Sequence, residues 1–579
     1  MKTGAHELKR PGRTIENAAM WSVNPFVNRI RREGIAWCVL LLAIYWSIYV
    51  LVAPATAWDA HVYNLSRLLI ARHGGLFGNT GWNDNRQILF PWSFDAIHYP
   101  FILLGFGYAL PSFLCFIGLL LIIHRLVKEK YGAASAWWCC LCMFALPTLI
   151  YQATSTKNDL AVVFGVACWY YAFRLWTVRK QPIYLGLMAL ALGFTAGAKT
   201  SGLPLFLICG AYTIGKIGLN TRPLAQFVAF LLASALIMGS TEIYLNNLRV
   251  LSHPLGDPIL IAGISNRDGL RGAVANGIRY LFGLVNIGVD ASYYSNHFPD
   301  WMASRCRDVL QFLHLSNAGY SSFYRCNDGN MAFVKDNMEE LTDFGPVGTL
   351  AILSALPCCF FISRRGLLWR LATTGFASLG ITCLTIGWMP WNNRFLMLPM
   401  VLFSLALTLL ILRPKEGWAA LLLRIVFLLL LLFSAVFIPW RSFNKGPQFL
   451  WLSIARRDYV ATKERPAMLE IVSDIEAIPR VSGASVLLLN AGEGTWVLPI
   501  LQIPLWQKKL QVIPTPVLTK ETISEASKID PGRRIVILTL DKPVASGLLE
   551  NLVTIKRYRG ENTSLFGFEP NRSDHPLAK

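Results

Sequence analysis

AWCVLLLAIYWSIYVLVAPATAWDAHVYNLSRLL, residues 36–69, joins a long apolar run to an acidic residue, Asp59, and then to a short amphipathic segment. The run over 36–56 is long enough to cross about 30 Å of hydrocarbon, whereas the segment after Asp59 is too short to do so. This order predicts a transmembrane helix followed by a helix that lies in the membrane interface. Asp59 is a preferred residue for the N-cap of that second helix.

The composition extends this prediction to the whole chain. Of 579 residues, 54% are hydrophobic and only 15% are charged, and the mean hydropathy is +0.43. These values exclude an ordinary soluble protein and indicate a membrane protein. A net charge of +20 is compatible with nucleic-acid binding, but the basic residues fall mostly between apolar runs, which favours an anionic membrane surface as their partner. The first apolar run has no small-residue cleavage site after it and is interpreted as an anchor.

Apolar stretches of membrane-spanning or nearly spanning length recur along residues 36–440. They predict about eleven transmembrane helices, at 36–56, 101–124, 133–152, 159–176, 183–198, 201–218, 223–244, 346–363, 367–388, 394–412 and 418–440. The predicted fold class is therefore a polytopic α-helical membrane protein. Residues 1–35 form a cytoplasmic segment in this scheme.

Lysine and arginine in alternate short loops set the predicted orientation. With the N terminus inside, every second loop carries basic residues and faces the cytoplasm of a cell (inner) membrane. The regions 57–100 and 245–345 then lie outside, and so does everything after about 440. Residues 441–579 change character: strand-like runs at 484–490, 533–540 and 551–558 and a helical pattern at 464–478 predict an extracytoplasmic soluble α/β domain.

Two carboxylates are predicted to emerge on the same external face. Asp59 follows the first helix, and Asp159 in STKNDL opens the fourth. Both suit a structural role, since an acid at a helix N terminus complements the helix dipole. Their convergence favours a functional role, because acids at this depth of a membrane are costly. Further polar residues in the first loop, which suit a phosphate group, a divalent cation or simple solvation, are Asp84, Arg86, Asp95 and His98.

Three cations complement these acids at predicted external helix ends. They are Lys157 near Asp159, Lys199 in AGAKTSG and Arg394 in WNNRFLMLP. Each one alone suits snorkelling to lipid headgroups. Together they are the residue types that hold a lipid phosphate, since arginine offers a two-pronged contact and lysine a point charge. In the long second loop, Cys306 and Cys326 are candidates for a disulfide.

The order of these motifs resembles that of GT-C glycosyltransferases, the polytopic class that includes protein O-mannosyltransferases and the bacterial aminoarabinose transferases. The resemblance covers roughly residues 36–412. It rests on WDAHVYNLSRLL, STKNDL, GFTAGAKTSGLPL, EELTDFGPVG (339–348) and NNRFLMLP. Ala60 stands where the family often has a second acid, and FDAIHYP stands where the aminoarabinose transferases tend to have Glu-Lys-Pro.

The resemblance implies a membrane enzyme that transfers a sugar from a polyprenyl-phosphate carrier to an extracytoplasmic lipid, glycan or protein. It implies Asp59 as the base, with Asp159 assisting. Lys199 and Arg394, with Lys157 and His98, would bind the phosphate of the donor, and Asp95 would be a ligand if the enzyme uses a divalent metal ion. The alternatives are a lipid-linked oligosaccharide ligase or polymerase, a transporter or flippase of lipid-linked sugars, and a non-catalytic assembly protein.

Overall fold

The structure is a computed structural model, and only the placed parts of the chain are described. The described residues are 25–52, 64–65, 67–68, 89–104, 106–218, 221–285, 297–322, 327–329, 331, 333, 344–362, 366–390, 392–413, 417–437, 486–491, 511–515, 518–529, 535–540, 553–557 and 564–568. Everything said below about packing, partners or absences refers to these ranges.

Helices account for most of the described residues. In chain order their bounds are Pro25–Val52, Ser93–Ala96, Tyr99–Leu104, Leu110–Phe144, Pro147–Ala153, Asp159–Arg179, Pro182–Ala198, Leu203–Ile217, Thr221–Met238, Thr241–Leu251, Pro258–Ile264, Gly269–Val285, His297–Phe312, Gly345–Phe361, Leu367–Thr385, Met397–Leu412, Trp418–Leu432 and Lys520–Ile529. Two 3-10 turns at Thr200–Gly202 and Asn392–Leu396 break the helical pattern close to predicted site residues.

Seven of the described helices are long and apolar enough to cross a membrane, or up to eight if one bent pair counts as a span. This agrees with a multi-pass membrane protein, but the predicted count of eleven is not confirmed. Two predicted spans, at 101–124 and 133–152, lie largely within Leu110–Phe144, where the backbone of Gly132 is not helical (φ 85°, ψ 166°) and separates two helices at a kink. Two others, Pro182–Ala198 and Gly345–Phe361, have only 17 residues each.

The centre of the bundle is the Asn392–Leu412 span. It is the most deeply buried of the described spans, and it is apolar on all sides, as a helix enclosed by other helices must be. It packs against Gly345–Phe361, Leu367–Thr385, Leu110–Phe144 and Asp159–Arg179. Arg394 lies at the beginning of this span and therefore at one end of the central helix.

The Pro182–Ala198 helix approaches its neighbour backbone to backbone. A Cβ atom at Gly197 would collide with the carbonyl oxygen of Met238, and one at Gly193 would collide with Ser234. Small residues are the usual means of such close approach between membrane helices. The small-residue pattern GFTAGA therefore fixes the end of the helix, immediately before Lys199, against the Thr221–Met238 helix.

Near the C terminus five strands form one sheet in the order β2-β1-β3-β5-β4: β1 (Val486–Ala491), β2 (Gln511–Thr515), β3 (Ile535–Leu540), β4 (Val553–Arg557) and β5 (Ser564–Phe568). β1 pairs in parallel with β2 and β3, and the other pairs are antiparallel. Three strands match the predicted runs, whereas β2 and β5 were not predicted. The predicted helix at 464–478 lies outside the described residues, and an external α/β domain stays a prediction.

Candidate functional site

Lys199 lies in the break between two helices. The Pro182–Ala198 helix ends just before it, and its own backbone is extended, with φ −160° and ψ 147°. The chain then enters the Thr200–Gly202 turn, where Gly202 packs so closely against the carbonyl of Thr195 that a Cβ atom would clash. AGAKTSG therefore folds as a tight break that holds a lysine between helices.

Asp159 is the partner of this lysine. It is the first residue of the Asp159–Arg179 helix, and Lys199 Nζ donates a hydrogen bond of 2.6 Å to its Oδ1. The side chains are 14% and 3% exposed, so the pair is largely desolvated. Asn158 Nδ2 donates to Ala198 O at 2.7 Å, which joins the two helix ends and sets the distance between the charges.

Arg394 and Lys157 complete a cationic group around Asp159. The positive charges of Lys199, Arg394 and Lys157 all act on the Asp159 carboxylate. The ring of Phe395 contacts two of these cations, with its centroid 5.0 Å from Lys199 Nζ and 5.3 Å from the guanidinium carbon of Arg394. Both distances are in the range of cation–π contacts. The structure thus brings together one predicted acid and three predicted cations.

The turn that carries Lys157 is buried. Residues 154–158, predicted as an external turn, are each no more than 6% exposed. Ser112 Oγ donates to the backbone carbonyl of Lys157 at 3.1 Å, which ties the turn to the Leu110–Phe144 helix. A polar turn enclosed by membrane helices costs free energy, and such residues are usually retained for function.

Asp95 belongs to a second buried group, formed with the segment after Asp59. Asn64 Nδ2 donates to Asp95 Oδ1 at 3.0 Å, and Arg67 Nη1 lies 3.4 Å from Asp95 Oδ2. The same nitrogen of Arg67 donates to the carbonyls of Phe90 and Pro91, each at 2.9 Å. Asn64, Arg67 and Asp95 are each at most 1% exposed.

The environment of Asp95 does not fit a metal ligand. Burial raises the pKa of Asp95 to about 7 against the lowering effects of Arg67, Asn64 and Lys199. The Arg67 guanidinium would repel a cation at this carboxylate, and the described residues contain no group of three or more metal-ligating side chains. A divalent metal elsewhere in the protein stays a prediction.

His98 is buried beside the same group. Its Nδ1 donates to Tyr108 O at 2.7 Å, and the ring of Phe94 contacts it edge to face. Burial lowers the pKa of His98 to about 4, so the imidazole is neutral at pH 7. With Nδ1 protonated, Nε2 is an acceptor. A role of His98 in donor binding stays a prediction. As an acceptor, Nε2 would bind a hydroxyl group of the donor rather than a phosphate oxygen.

A serine connects the two groups. Ser240 Oγ accepts hydrogen bonds from the backbone nitrogens of Trp92 and Ser93, at 3.1 and 3.2 Å, and itself lies 3.4 Å from Gly197 O. The loop that leads to Asp95 is thereby attached to the helix end that precedes Lys199. The charge of Lys199 acts on the Asp95 carboxylate. Ser240 therefore links the two groups.

Several predicted residues lie outside the described part of the chain. They are Asp59, Asp84, Arg86, Cys326 and the acidic half of EELTDFGPVG at 339–343. Cys306, the other member of the predicted cysteine pair, is buried and carries a free thiol.

Three site residues were missed by the sequence reasoning: Asn64, Arg67 and Phe395. In the sequence, Asn64 and Arg67 are two polar residues of the short amphipathic segment after Asp59. Their spacing of three was the available signal, because residues three apart on a helix share a face. Phe395 gave no signal, since an aromatic residue at the start of a membrane helix is ordinary.

No family model matches this chain, and no curated protein sequence matches it. The chain is similar in fold to two crystal structures of ArnT from Cupriavidus metallidurans, one in the apo state and one bound to undecaprenyl phosphate. Each is 12% identical to this chain, and each comparison covers 92% of this chain and 98% of that chain, with TM-scores of 0.39 and 0.40.

Proposed function

We propose that this protein is a membrane glycosyltransferase that takes a sugar from a polyprenyl-phosphate carrier and transfers it to an acceptor hydroxyl on the extracytoplasmic face. The observation that carries the proposal is the convergence of Lys199, Arg394 and Lys157 on the buried Asp159. The carrier class follows from the resemblance of the sequence motifs to the GT-C enzymes.

The cationic group suits the phosphate of the lipid carrier. Arg394 supplies a planar, two-pronged donor, and Lys199 and Lys157 supply point charges. Asp159 holds Lys199 at 2.6 Å and restricts it to the break between two helices, so the ammonium is in place before the donor arrives. Such preorganised positive charge stabilises a departing phosphate without reorganisation at the moment of reaction.

The transfer needs one base for the acceptor. In the proposed reaction the acceptor oxygen forms a bond to the anomeric carbon while the bond between that carbon and the phosphate oxygen breaks. The phosphate keeps the bonding electrons, and the hydroxyl proton passes to Asp59. One base and no carboxylate nucleophile is the economical arrangement for inversion of the anomeric centre.

Asp95 contributes to this scheme as a support for the base. It holds Asn64 and Arg67, which lie in the segment that begins a few residues after Asp59. The predicted orientation, with a cytoplasmic N terminus and the site outside, is part of the same proposal.

A transfer assay with purified, full-length protein tests the proposal. The wild type, Asp59→Asn and Asp257→Asn are incubated with labelled polyprenyl-phosphate sugars and a membrane extract as the source of acceptor. Asp257 is a half-buried helix cap in the second loop, so its variant controls for the loss of a carboxylate. We expect Asp59→Asn to lose roughly 100-fold or more of the transfer rate, as for a general base, and Asp257→Asn to keep it.

The outcomes separate the alternatives. Equal transfer by the wild type and Asp59→Asn would show that Asp59 is not the base. Transfer only from pyrophosphate-linked donors would favour the ligase or polymerase. Movement of labelled lipid across vesicles by a wild type that transfers nothing would favour the transporter.

A further inference from the structure

We infer that Tyr280 is a positioning residue: its hydroxyl holds Asn392 and thereby aims Arg394 at the phosphate of the lipid-linked donor. This inference rests on the proposed function, since it assigns Arg394 to the donor phosphate. It concerns a part of the protein that the sequence motifs leave unassigned, the Gly269–Val285 helix of the second external loop.

The contact between Tyr280 and Asn392 is fully buried. Tyr280 is 2% exposed and Asn392 is 0% exposed. Asn392 Nδ2 donates to the Tyr280 hydroxyl at 2.8 Å and to Gly387 O at 2.9 Å. The two contacts join the turn to the Gly269–Val285 helix through Tyr280 and to the preceding chain through Gly387. They fix the orientation of the Asn392 amide.

Asn392 is the first residue of the short turn that carries the cationic contact. The turn runs over Asn392–Leu396, with Arg394 two residues after the asparagine and Phe395 next to it. A 3-10 turn of this length has few hydrogen bonds of its own, so its direction depends on how its first residue is fixed. The position of the Arg394 guanidinium near Asp159 follows from that direction.

The helix that carries Tyr280 is itself firmly attached to the chain before the turn. One turn earlier, Asn276 Nδ2 donates to Ile386 O at 3.1 Å. Arg279, adjacent to Tyr280, donates from Nη1 to Ala318 O at 2.6 Å, and its guanidinium lies 3.7 Å from the centroid of the Tyr320 ring. Because other contacts hold this helix in place, the position of the Tyr280 hydroxyl does not depend on Asn392. The hydroxyl can therefore fix the position of Asn392.

The same network supplies a matched control. The Tyr320 hydroxyl donates to Asp328 Oδ1 at 2.7 Å, whereas the Tyr280 hydroxyl accepts from Asn392. Tyr320→Phe and Tyr280→Phe each remove one oxygen atom from a tyrosine of the network. Only Tyr280→Phe removes the contact with the turn that carries Arg394.

The test measures binding of a polyprenyl phosphate to purified full-length protein in detergent, together with the melting temperature of each variant. We expect Tyr280→Phe to weaken binding roughly tenfold, equivalent to about 1.4 kcal/mol, and Tyr320→Phe to leave it unchanged. Asn392→Ala removes the same contact from the other side and serves if one variant folds poorly. In an Arg394→Gln background, Tyr280→Phe has no further effect on binding, because the residue that it aims is gone.

Each outcome decides the inference. If Tyr280→Phe and Tyr320→Phe both bind polyprenyl phosphate as tightly as the wild type, the positioning role is overturned and the proposed function is left intact. Equal weakening of binding by both variants would show that the network acts through general stability, which also overturns it. A wild type that binds no polyprenyl phosphate would overturn both this inference and the proposed function.

Discussion

Asp95 and His98 give the site a pH dependence whose two parts oppose each other. Both are fully buried, three residues apart in the first loop. Burial raises the pKa of Asp95 from 3.8 to about 7 and lowers the pKa of His98 from 6.5 to about 4. Between these limits the native protein holds a proton on Asp95 and none on His98, and the unfolded chain has the reverse arrangement.

The two contributions cancel in the wild type. As pH rises from about 4.5 to 6, the proton that Asp95 retains in the native state lowers the free energy of unfolding by about 2 kcal/mol. This follows from about 1.36 kcal/mol for each pH unit. The neutral His98 makes it gain a similar amount over the same range, because the unfolded chain there holds an imidazolium proton that the native state lacks. We therefore expect the effect of each group on the pH dependence of stability to be measurable only when the other group is removed.

The assay is the melting temperature in detergent as a function of pH for Asp95→Asn, His98→Asn and the double variant, each relative to the wild type. Asparagine retains a hydrogen-bonding group at both positions and does not titrate. Relative to the wild type, Asp95→Asn should gain stability as pH rises through this window, and His98→Asn should lose it. The double variant should return to the wild-type slope. Identical slopes in both single variants would refute the assigned protonation states.

Three further predictions concern the contacts around the site. Asp159→Ala should cost roughly 3 kcal/mol, because it leaves Lys199 buried without its carboxylate, and Asp159→Leu combined with Lys199→Met should recover most of the melting temperature; a loss in the double variant as large as in Asp159→Ala would contradict this. Gly197→Ala should cost about 1–3 kcal/mol through its clash with Met238, whereas Gly215→Ala, with nothing near its Cβ, should cost nothing measurable in thermal unfolding; equal melting temperatures would count against the close helix contact. Arg67→Lys should lower the melting temperature, because the ammonium of lysine ends one bond short of Nη1, the atom of Arg67 that meets two carbonyls and Asp95; an unchanged value would show that a positive charge alone is enough there.

The sequence predicted well those features that depend on local pattern. Apolar runs of membrane length predicted most of the helices, since a helix in lipid must satisfy its own backbone and present apolar side chains. The break in AGAKTSG and the acid that opens the Asp159–Arg179 helix were visible because glycine, proline and charge interrupt an apolar pattern. Helix count was less predictable, since the ends of 17-residue helices depend on packing as well as on hydropathy.

The site combines both sources of information. The sequence by itself determined the membrane class and the candidate residues Asp159, Lys199, Arg394 and Lys157, because charges in an apolar context stand out in any reading of the chain. Only the tertiary structure decided which of them meet. The 2.6 Å pair of Asp159 with Lys199 and the enclosure of Asp95 by Asn64 and Arg67 join residues tens of positions apart. Such contacts depend on how closely helices approach, and that distance is set by the small residues between them.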